Sequence, residues 1–493
     1  MRNRVGFSSD ALSGRGIRFR ALMGSVLGAV LLAGCAVRPV IPALAHYEPG
    51  TGYRWSERPA LANNDAKTLL ILAFSGGGTR AAAFSYGVLE ELRRTQVGRS
   101  GPMHTMLNEV DLISSVSGGS FTSLAYALYG EHLFDHYEQE FLKRDVEGEL
   151  LKRLFDPLTW PKTLSSGFGR SELAEQYYEE ILFHGATYAD LIAKPTPTAI
   201  ANATDIATGL RWSFSATNFD IICSDLDKMH LARAAAASSA VPVALSPVTI
   251  NNYGGTCGYR DPPWVETAIK SRARAWTGNR ALQRYRALQG YEDGRERPYI
   301  HLVDGGLAGN LGVYPVVEAL QEAEASERFR KAVGVERLRR IVVVIVNAYT
   351  APNLGWSKRE TAPSALELLL QAVSVPIDRF SYESVDALED LITEWKLRRQ
   401  DAVDALRLKG DPIPADMVPP LEFSVIDASF DAVRDPAERE YLLNLPTTLS
   451  LSPAAVDRLR AAAAEVLRDS VPFRKLVDEI SAEKNASDAA GRR

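Results

Sequence analysis

One local pattern, an apolar run followed by glycines and then by helical periodicity, occurs twice and constrains the fold most. Leu69–Phe74 is apolar throughout and stops before Gly76–Gly78, after which residues 79–94 show apolar positions at helical spacing. Val110–Val116, a less apolar run that contains Asp111, Ser114 and Ser115, and Gly118–Tyr129 read as a second strand and helix. Short apolar runs without alternation are typical of strands buried on both faces, as in parallel sheets. The pattern therefore predicts strand, tight turn and helix, twice in succession.

Later segments continue this alternation. The predicted strands are Ala199–Ala203, Leu210–Ser215, His301–Val303 and Arg340–Val346, and the predicted helices are 131–156, 171–184, Ala232–Ala240 and 382–409. Strands that alternate with helices favour an α/β fold with a largely parallel sheet covered on both faces.

The N-terminus has the features of an export signal. Five arginines within residues 2–20 precede the uncharged run Ala21–Ala33, and the sequence Leu-Ala-Gly-Cys then ends at Cys35. A basic region, a short apolar region and small residues form a secretory signal peptide. The ending resembles the lipobox of bacterial lipoproteins, which implies acylation of Cys35 and, with Ala36 next to it, sorting to the outer membrane. An uncleaved anchor and cleavage after Ala43–Ala45 are the alternatives.

The chain has three cysteines and a formal net charge of -5. If Cys35 is acylated, Cys223 and Cys257 remain as a pair in an oxidising compartment, and we predict a disulfide between them. Two buried free thiols are the alternative. The charge lacks the basic excess of nucleic-acid-binding proteins, so we expect no nucleic-acid partner.

Ser117 lies between the second predicted strand and the second predicted helix. A sharp turn there lifts a serine hydroxyl above the sheet and directs the N-terminus of the following helix at developing negative charge. Gly118 and Gly119 are needed because a Cβ would clash in so tight a turn. The usual elbow is G-x-S-x-G, and Ser115 stands at its first glycine. Taken alone, the motif leaves an ordinary turn open.

Gly76, Gly77 and Gly78 form the second candidate element. Consecutive glycines at a strand end let backbone N–H groups converge on an anion, such as the oxyanion of acyl transfer. Arg80 adds a positive charge nearby. A phosphate loop is the alternative, but its G-K-[ST] ending is missing, and Ala81 replaces the third glycine of a dinucleotide-binding motif.

A base must activate the serine, and Asp304 is the candidate. No histidine follows His301, so a Ser, Asp, His order that uses Asp304 cannot be built. His301 with an earlier acid remains an alternative. Asp304, Gly305 and Gly306 follow a predicted strand, and the glycines permit close approach to the carboxylate.

Together these segments resemble the patatin-like phospholipases across about residues 69–320. The resemblance rests on the glycine-rich segment, the serine turn, the Asp-Gly-Gly motif, Asn202–Asp205 and Ala234–Pro247. It implies a doubly wound, mostly parallel α/β sheet with helices on both faces, and a Ser–Asp dyad without metal or other cofactor. In that dyad Ser117 is the nucleophile, Asp304 the proton acceptor, and the glycine amides hold the oxyanion.

The resemblance implies a lipid acyl hydrolase of phospholipase A or lysophospholipase type, acting on a lipid or phospholipid substrate. An acyltransferase with the same dyad and a non-catalytic lipid-binding or partner-binding lipoprotein are the alternatives. The expected organisation is a signal peptide (1–34), a tether (35–66), the patatin-like domain (67–320), a continuation of the α/β unit with a helical extension (321–480) and a disordered tail (481–493). We expect export and membrane association through the lipid anchor.

Other features have plain structural explanations. His132 and His136 have a spacing that can bind zinc, but we expect them to lie on a solvated helix face. Aromatic residues in 131–170 suggest either a lipid-contacting cap or ordinary packing. The charged helix 382–409 most simply meets water, and a partner surface is the alternative.

Overall fold

The structure, a computed structural model, describes residues 38–55, 67–98, 104–160, 167–262, 278–325, 338–351, 355–413 and 421–491, and the single residues 61, 64, 165 and 265. Cys35 and the export signal lie outside the described residues, so their interpretation stays a prediction. None of the helices in these ranges is long and apolar enough to cross a bilayer.

Eight strands form one sheet. They are β1 (Thr68–Phe74), β2 (Val110–Val116), β3 (Thr198–Asp205), β4 (Arg211–Ser213), β5 (Val248–Asn251), β6 (Tyr299–Asp304), β7 (Arg340–Asn347) and β8 (Glu422–Ser429). The order is β5-β6-β3-β2-β1-β7-β8, with β4 paired to β3. The five neighbouring strands β3, β2, β1, β7 and β8 run parallel to one another, whereas β6 is antiparallel to both of its neighbours. The predicted mostly parallel α/β fold is confirmed.

The helices lie between and after these strands. They are α1 (Gly78–Arg94), α2 (Gly118–Tyr129), α3 (Leu133–Tyr137), α4 (Val146–Phe155), α5 (Arg170–Tyr178), α6 (Tyr188–Ile192), α7 (Ala216–Ile221), α8 (Leu231–Ser238), α9 (Gly278–Gln289), α10 (Val313–Ala325), α11 (Ala365–Lys409), α12 (Pro436–Leu443), α13 (Pro453–Asp469) and α14 (Val471–Gly491).

Both faces of the sheet are covered, which explains the continuous apolar sequence of β1. Leu70, Leu72 and Phe74 belong to the larger apolar core, which also contains residues of α1, α2 and α13. The alternate residues Leu69 and Ile71 belong to a second core formed with α10 and α11. Because these side chains alternate between two apolar cores, Leu69–Phe74 contains no polar residue.

The C-terminal part of the chain completes the sheet. β7 pairs with β1, β8 pairs with β7, and α13 packs on α1 so closely that a Cβ on Gly87 would be 2.7 Å from Arg460 Cα. Arg460 also forms a 2.8 Å ion pair with Glu90 on α1. This contact holds residues 436–469 beside the helix that begins at Gly78.

Three predictions of local structure differ from the fold. The predicted helix 131–156 is interrupted after a π-helical turn at 138–142, and α4 begins anew where Asp145 accepts from Gly148 N. The predicted helix 171–184 likewise passes into a π-helical turn at 179–183. The helix predicted at 382–409 begins earlier, at Ala365, although Pro376 would usually end it.

Two terminal predictions need correction. The described part of the predicted tether, residues 38–55, is irregular but docked: Tyr53 is buried and its hydroxyl accepts from Ala199 N at 2.7 Å. The tail expected to be disordered from 481 is helical to Gly491, because Ala, Glu and Lys favour helix and Ile480 is buried in the core.

Candidate active site

Ser117 occupies a strained turn at the carboxyl end of β2. Its φ of 49° and ψ of -120° lie outside the regions that residues with side chains ordinarily adopt. Strain of this kind persists only where surrounding contacts fix the backbone, and it is concentrated at functional sites. Here Ser117 N donates to Ser238 Oγ at 2.9 Å, and α2 begins at the next residue. The turn places the hydroxyl at a helix N-terminus, where the dipole favours negative charge.

The glycines after Ser117 bring the two predicted turns into contact. A Cβ on Gly118 would lie on Gly78 O, and a Cβ on Gly119 would be 2.8 Å from a side chain of β1. From the other side, a Cβ on Gly76 would be 3.1 Å from Ser117 Cβ. The glycine-rich turn and the serine turn therefore form one surface, and larger residues at these positions would separate them.

Asp304 ends β6 with both carboxylate oxygens hydrogen-bonded. Ser117 Oγ donates to Oδ2 at 2.7 Å, and Gly306 N donates to Oδ1 at 2.7 Å. Gly305 fits between them and β3 because a Cβ there would lie on Asn202 O. The structure thus brings together the two side chains to which the sequence assigned nucleophile and base, and their catalytic roles stay predictions.

The environment of Asp304 suits proton transfer. The residue is 3% exposed, and burial raises the pKa of its carboxyl to about 6, while hydrogen bonds from Ser117 and Gly306 act in the opposite direction. A carboxylate with a pKa near 6 is a stronger base than an ordinary aspartate and is still mostly ionised at neutral pH. Asp304 can therefore receive the hydroxyl proton that it already accepts as a hydrogen bond.

The alternative that uses a histidine finds no support in the geometry. His301 Nδ1 lies 2.9 Å from Thr249 Oγ1, on the exposed face of β6, and within the described residues Ser117 Oγ bonds to Asp304 alone. His132 and His136 each lie beside a carboxylate on their own segment, and no cluster of metal-binding side chains occurs in the described ranges.

Three glycines were predicted as oxyanion donors, and the structure corrects this prediction for Gly76. Its N–H donates to Asn310 O at 2.9 Å and to Asn310 Oδ1 at 3.1 Å, so it is already engaged. Gly77 and Gly78 stand at the N-terminus of α1, where N–H groups have no intrahelical acceptor. Neither amide bonds to the described part of the chain. These two, beside Ser117, remain the candidate oxyanion donors.

The prediction that Arg80 belongs to the oxyanion site is also corrected, because its guanidinium holds the surrounding chain. Nε donates to Ala348 O at 2.8 Å, Nη1 to Leu445 O at 2.7 Å and Nη2 to Thr447 Oγ1 at 3.0 Å. A guanidinium engaged with two carbonyls and a hydroxyl in this way positions the glycine-rich turn, so we assign Arg80 a structural role in place of the predicted one. The adjacent Thr448 O accepts from Thr79 N at 2.8 Å.

Sequence reasoning missed several residues that shape the site. Ser238 accepts from Ser117 N and donates to Asn202 O at 2.6 Å, and Asn310 holds Gly76. Thr448 covers Gly78 from the C-terminal part of the chain. Ser238 and Asn202 lie within the two segments that supported the family resemblance, so a signal existed for them. Thr448 contributes a backbone carbonyl, which leaves no trace in the sequence.

Cys223 and Cys257 form a disulfide with their Cα atoms 5.5 Å apart, as the sequence predicted. It lies beside the docked N-terminal segment, since Leu44 N donates to Cys223 O at 2.7 Å.

Residues 131–170, for which the sequence suggested either a lipid-contacting cap or ordinary packing, contain both buried and exposed aromatic side chains. Phe141 and Phe168 are buried and fit ordinary packing, whereas Phe155 and Trp160 are exposed together with Leu151 and Leu158.

Comparison with known proteins agrees with this arrangement. A family model described as patatin-like phospholipase matches residues 72–317, which include the end of β1, Ser117 and Asp304. No curated protein of similar sequence was found.

Solved structures of human GIVD cytosolic phospholipase A2 are similar to this chain at low identity. One aligns with a TM-score of 0.43 and 11% identity, covering 85% of this chain and 63% of that one. Two complexes with methyl gamma-linolenyl fluorophosphonate, one of them also containing terbium chloride, give TM-scores of 0.38 at 13% and 14% identity, covering 85% of this chain and 59% and 60% of theirs. The chain therefore spans less than two thirds of the length of these proteins.

Proposed function

Because residues 72–317 make this chain a member of the patatin-like phospholipase family, we propose that it is a lipid acyl hydrolase of phospholipase A or lysophospholipase type. The observation that carries the proposal is the 2.7 Å hydrogen bond from Ser117 Oγ to the buried carboxylate of Asp304. Gly78 lies against Gly118, the residue after Ser117, and the amides of Gly77 and Gly78 have no partner in the described chain.

The proposed reaction runs through an acyl-enzyme. Ser117 Oγ attacks the ester carbonyl as Asp304 takes its proton, and the N–H groups of Gly77 and Gly78 hold the oxyanion. The ester C–O bond then breaks, and the leaving alcohol takes the proton from Asp304. Water attacks the acyl-enzyme in the second half, again giving its proton to Asp304. Ser117 regains this proton as the fatty acid leaves.

A fluorophosphonate probe tests the nucleophile directly, because it forms a covalent bond only with an activated serine. We expect labelling of intact protein at Ser117 and none in Ser117→Ala. Ser85→Ala is a matched control, since Ser85 is also buried and its hydroxyl has no partner in the described chain. Failure to label wild-type protein would favour the non-catalytic alternative. A product assay with an added acceptor alcohol separates hydrolysis from acyl transfer.

We also propose that the protein is exported and anchored to a membrane through acylated Cys35. Arg38, three residues later, is the first described residue. Its guanidinium donates to Thr249 O at 3.0 Å and to Asn251 Oδ1, and it lies over the ring of Tyr299. Since three residues span at most about 10 Å, an anchor at Cys35 would hold this corner of the protein at the bilayer. Intact mass of the purified protein tests the acylation.

That corner lies at the same end of the sheet as Ser117. β3 continues past the end of β2, and Tyr299 stands five residues before Asp304 on the antiparallel β6. At about 3.3 Å per residue, Tyr299 projects about 16 Å beyond the dyad. Tyr299 and Ile206 there are 55% and 51% exposed. The anchor would therefore turn the end of the sheet that contains the active site toward lipid.

A further inference from the structure

Asn310 connects the loop after Asp304 to the glycine-rich turn. Its backbone carbonyl and its side-chain Oδ1 both accept from Gly76 N, at 2.9 and 3.1 Å. Gly76 is the residue before the two candidate oxyanion donors. The loop after Asp304 and the glycine-rich turn are thus fixed to each other through one asparagine.

The amide of Asn310 lies close to the nucleophile. A Cβ built on Gly76 would touch Asn310 Oδ1 and would be 3.1 Å from Ser117 Cβ. Both side chains therefore border the same small space in front of Gly76. An ester carbonyl attacked by Ser117 Oγ would lie beside the serine turn, and the side chain of Asn310 is close enough to that turn to contact it.

The hydrogen-bonding capacity of Asn310 is only half used. An amide that accepts through Oδ1 has two N–H groups on Nδ2, and these groups bond to no residue in the described part of the chain. The residue is only partly buried, so its Nδ2 can reach a bound molecule. An amide donor of this kind is well suited to an oxyanion.

We propose that Asn310 is a further catalytic residue, whose Nδ2 donates a hydrogen bond to the oxygen of the ester carbonyl as it becomes the oxyanion. This inference rests on the proposed hydrolase function. Asn310 would then have two separable roles: Oδ1 holds Gly76, and Nδ2 stabilises charge beside the Gly77 and Gly78 amides.

Two substitutions separate these roles. Asn310→Asp keeps an oxygen that accepts from Gly76 N but replaces the donor with a negative charge, whereas Asn310→Ala removes both. If Nδ2 stabilises the oxyanion, both variants lose kcat by about 100-fold or more, with a smaller change in KM. The rate of fluorophosphonate labelling at Ser117 should fall in parallel.

Asn108→Asp is the matched control. Asn108 Oδ1 also accepts from a backbone amide, Thr105 N at 2.9 Å, but it precedes β2 at the opposite end from Ser117. We expect wild-type kcat for this variant and a similar unfolding temperature for all folded variants. Wild-type kcat in Asn310→Asp beside a loss in Asn310→Ala would leave Asn310 a positioning residue only and overturn the inference. A wild-type protein that does not label would overturn the proposed function and the inference together.

Discussion

Ser117 Oγ donates a 2.7 Å hydrogen bond to Asp304 Oδ2, joining two residues that are 187 positions apart in the sequence. No histidine of the described chain takes part in the bond, so the carboxylate has to act as base itself. Three features make this possible: the strained turn at Ser117, the burial of Asp304 and the glycines that let their loops approach.

Removal of either member of the pair should stop ester hydrolysis without unfolding the protein. Ser117→Ala removes the nucleophile, and Asp304→Asn removes the base, for which we expect a loss of about 10³-fold in kcat. Turnover of a short-chain ester and circular dichroism of each variant measure the two properties. An Asp304→Asn variant with more than a tenth of wild-type activity would contradict the assignment of the base.

The pH dependence of activity should follow Asp304. Burial raises the pKa of this carboxyl to about 6, and only the ionised form can accept a proton. We therefore expect kcat/KM to rise with pH through about 6 and to level off above it. Initial rates between pH 4.5 and 8, checked for unfolding at each pH, give the profile. A midpoint near 4 would mean that the carboxylate is exposed in solution, contrary to the structure.

The same raised pKa predicts a stability cost. A carboxyl whose pKa is higher in the folded protein binds its proton more tightly there, so the folded state loses stability as pH rises from about 4 through about 6. Asp304→Asn does not ionise and escapes this loss, which amounts to about 3 kcal/mol at most. The unfolding temperature of Asp304→Asn relative to wild type should therefore increase between pH 5 and pH 8. A difference independent of pH would contradict this linkage.

Gly78→Ala should disrupt the glycine-rich turn. Gly78 has a φ of +61°, and a Cβ there would lie on Thr448 O, so α1 and the chain at Thr448 must separate. We expect a loss of about 2 kcal/mol or more in unfolding free energy and a fall in kcat. Gly209→Ala is the matched control, because Gly209 has a φ of +71° but no atom within 4 Å of a Cβ. Equal effects in the two variants would show that backbone strain, and not the contact with Thr448, is responsible.

The sequence predicted those elements and site residues that a local pattern of neighbouring residues encodes. It did not predict contacts between residues that are far apart in the chain. β1 and β7 were predicted because their central residues are apolar, as in strands buried on both faces, and β2 was predicted from a less apolar run that ends at the serine turn. β8 is an edge strand with exposed alternate residues and gave no such pattern. Ser117 and Asp304 stand in recognisable turns. The role of Asn310 depends on reaching Gly76, 234 residues away, and no local pattern encodes that contact.

The orientation of the protein on a membrane provides a final prediction. If the anchor at Cys35 holds the corner around Arg38 at the bilayer, a fluorophore on Ile206→Cys should contact lipid. Ile206 directly follows β3 and is 51% exposed at the end of the sheet that contains Ser117. Val471→Cys is the matched control. Val471 is 68% exposed, but it follows the end of α13, where Arg468 pairs with Glu91 in the last turn of α1, away from Gly78.

The full-length acylated protein on phospholipid vesicles is the sample for this experiment. Spin-labelled lipids should quench the fluorophore at position 206 strongly and the one at position 471 weakly, because quenching falls off within a few ångströms of the bilayer. Cys35→Ser should lose vesicle binding, since apolar burial of the acyl chains supplies most of the attachment. Quenching at position 471 that equals or exceeds quenching at 206 would mean that the anchored protein turns its active site away from the lipid.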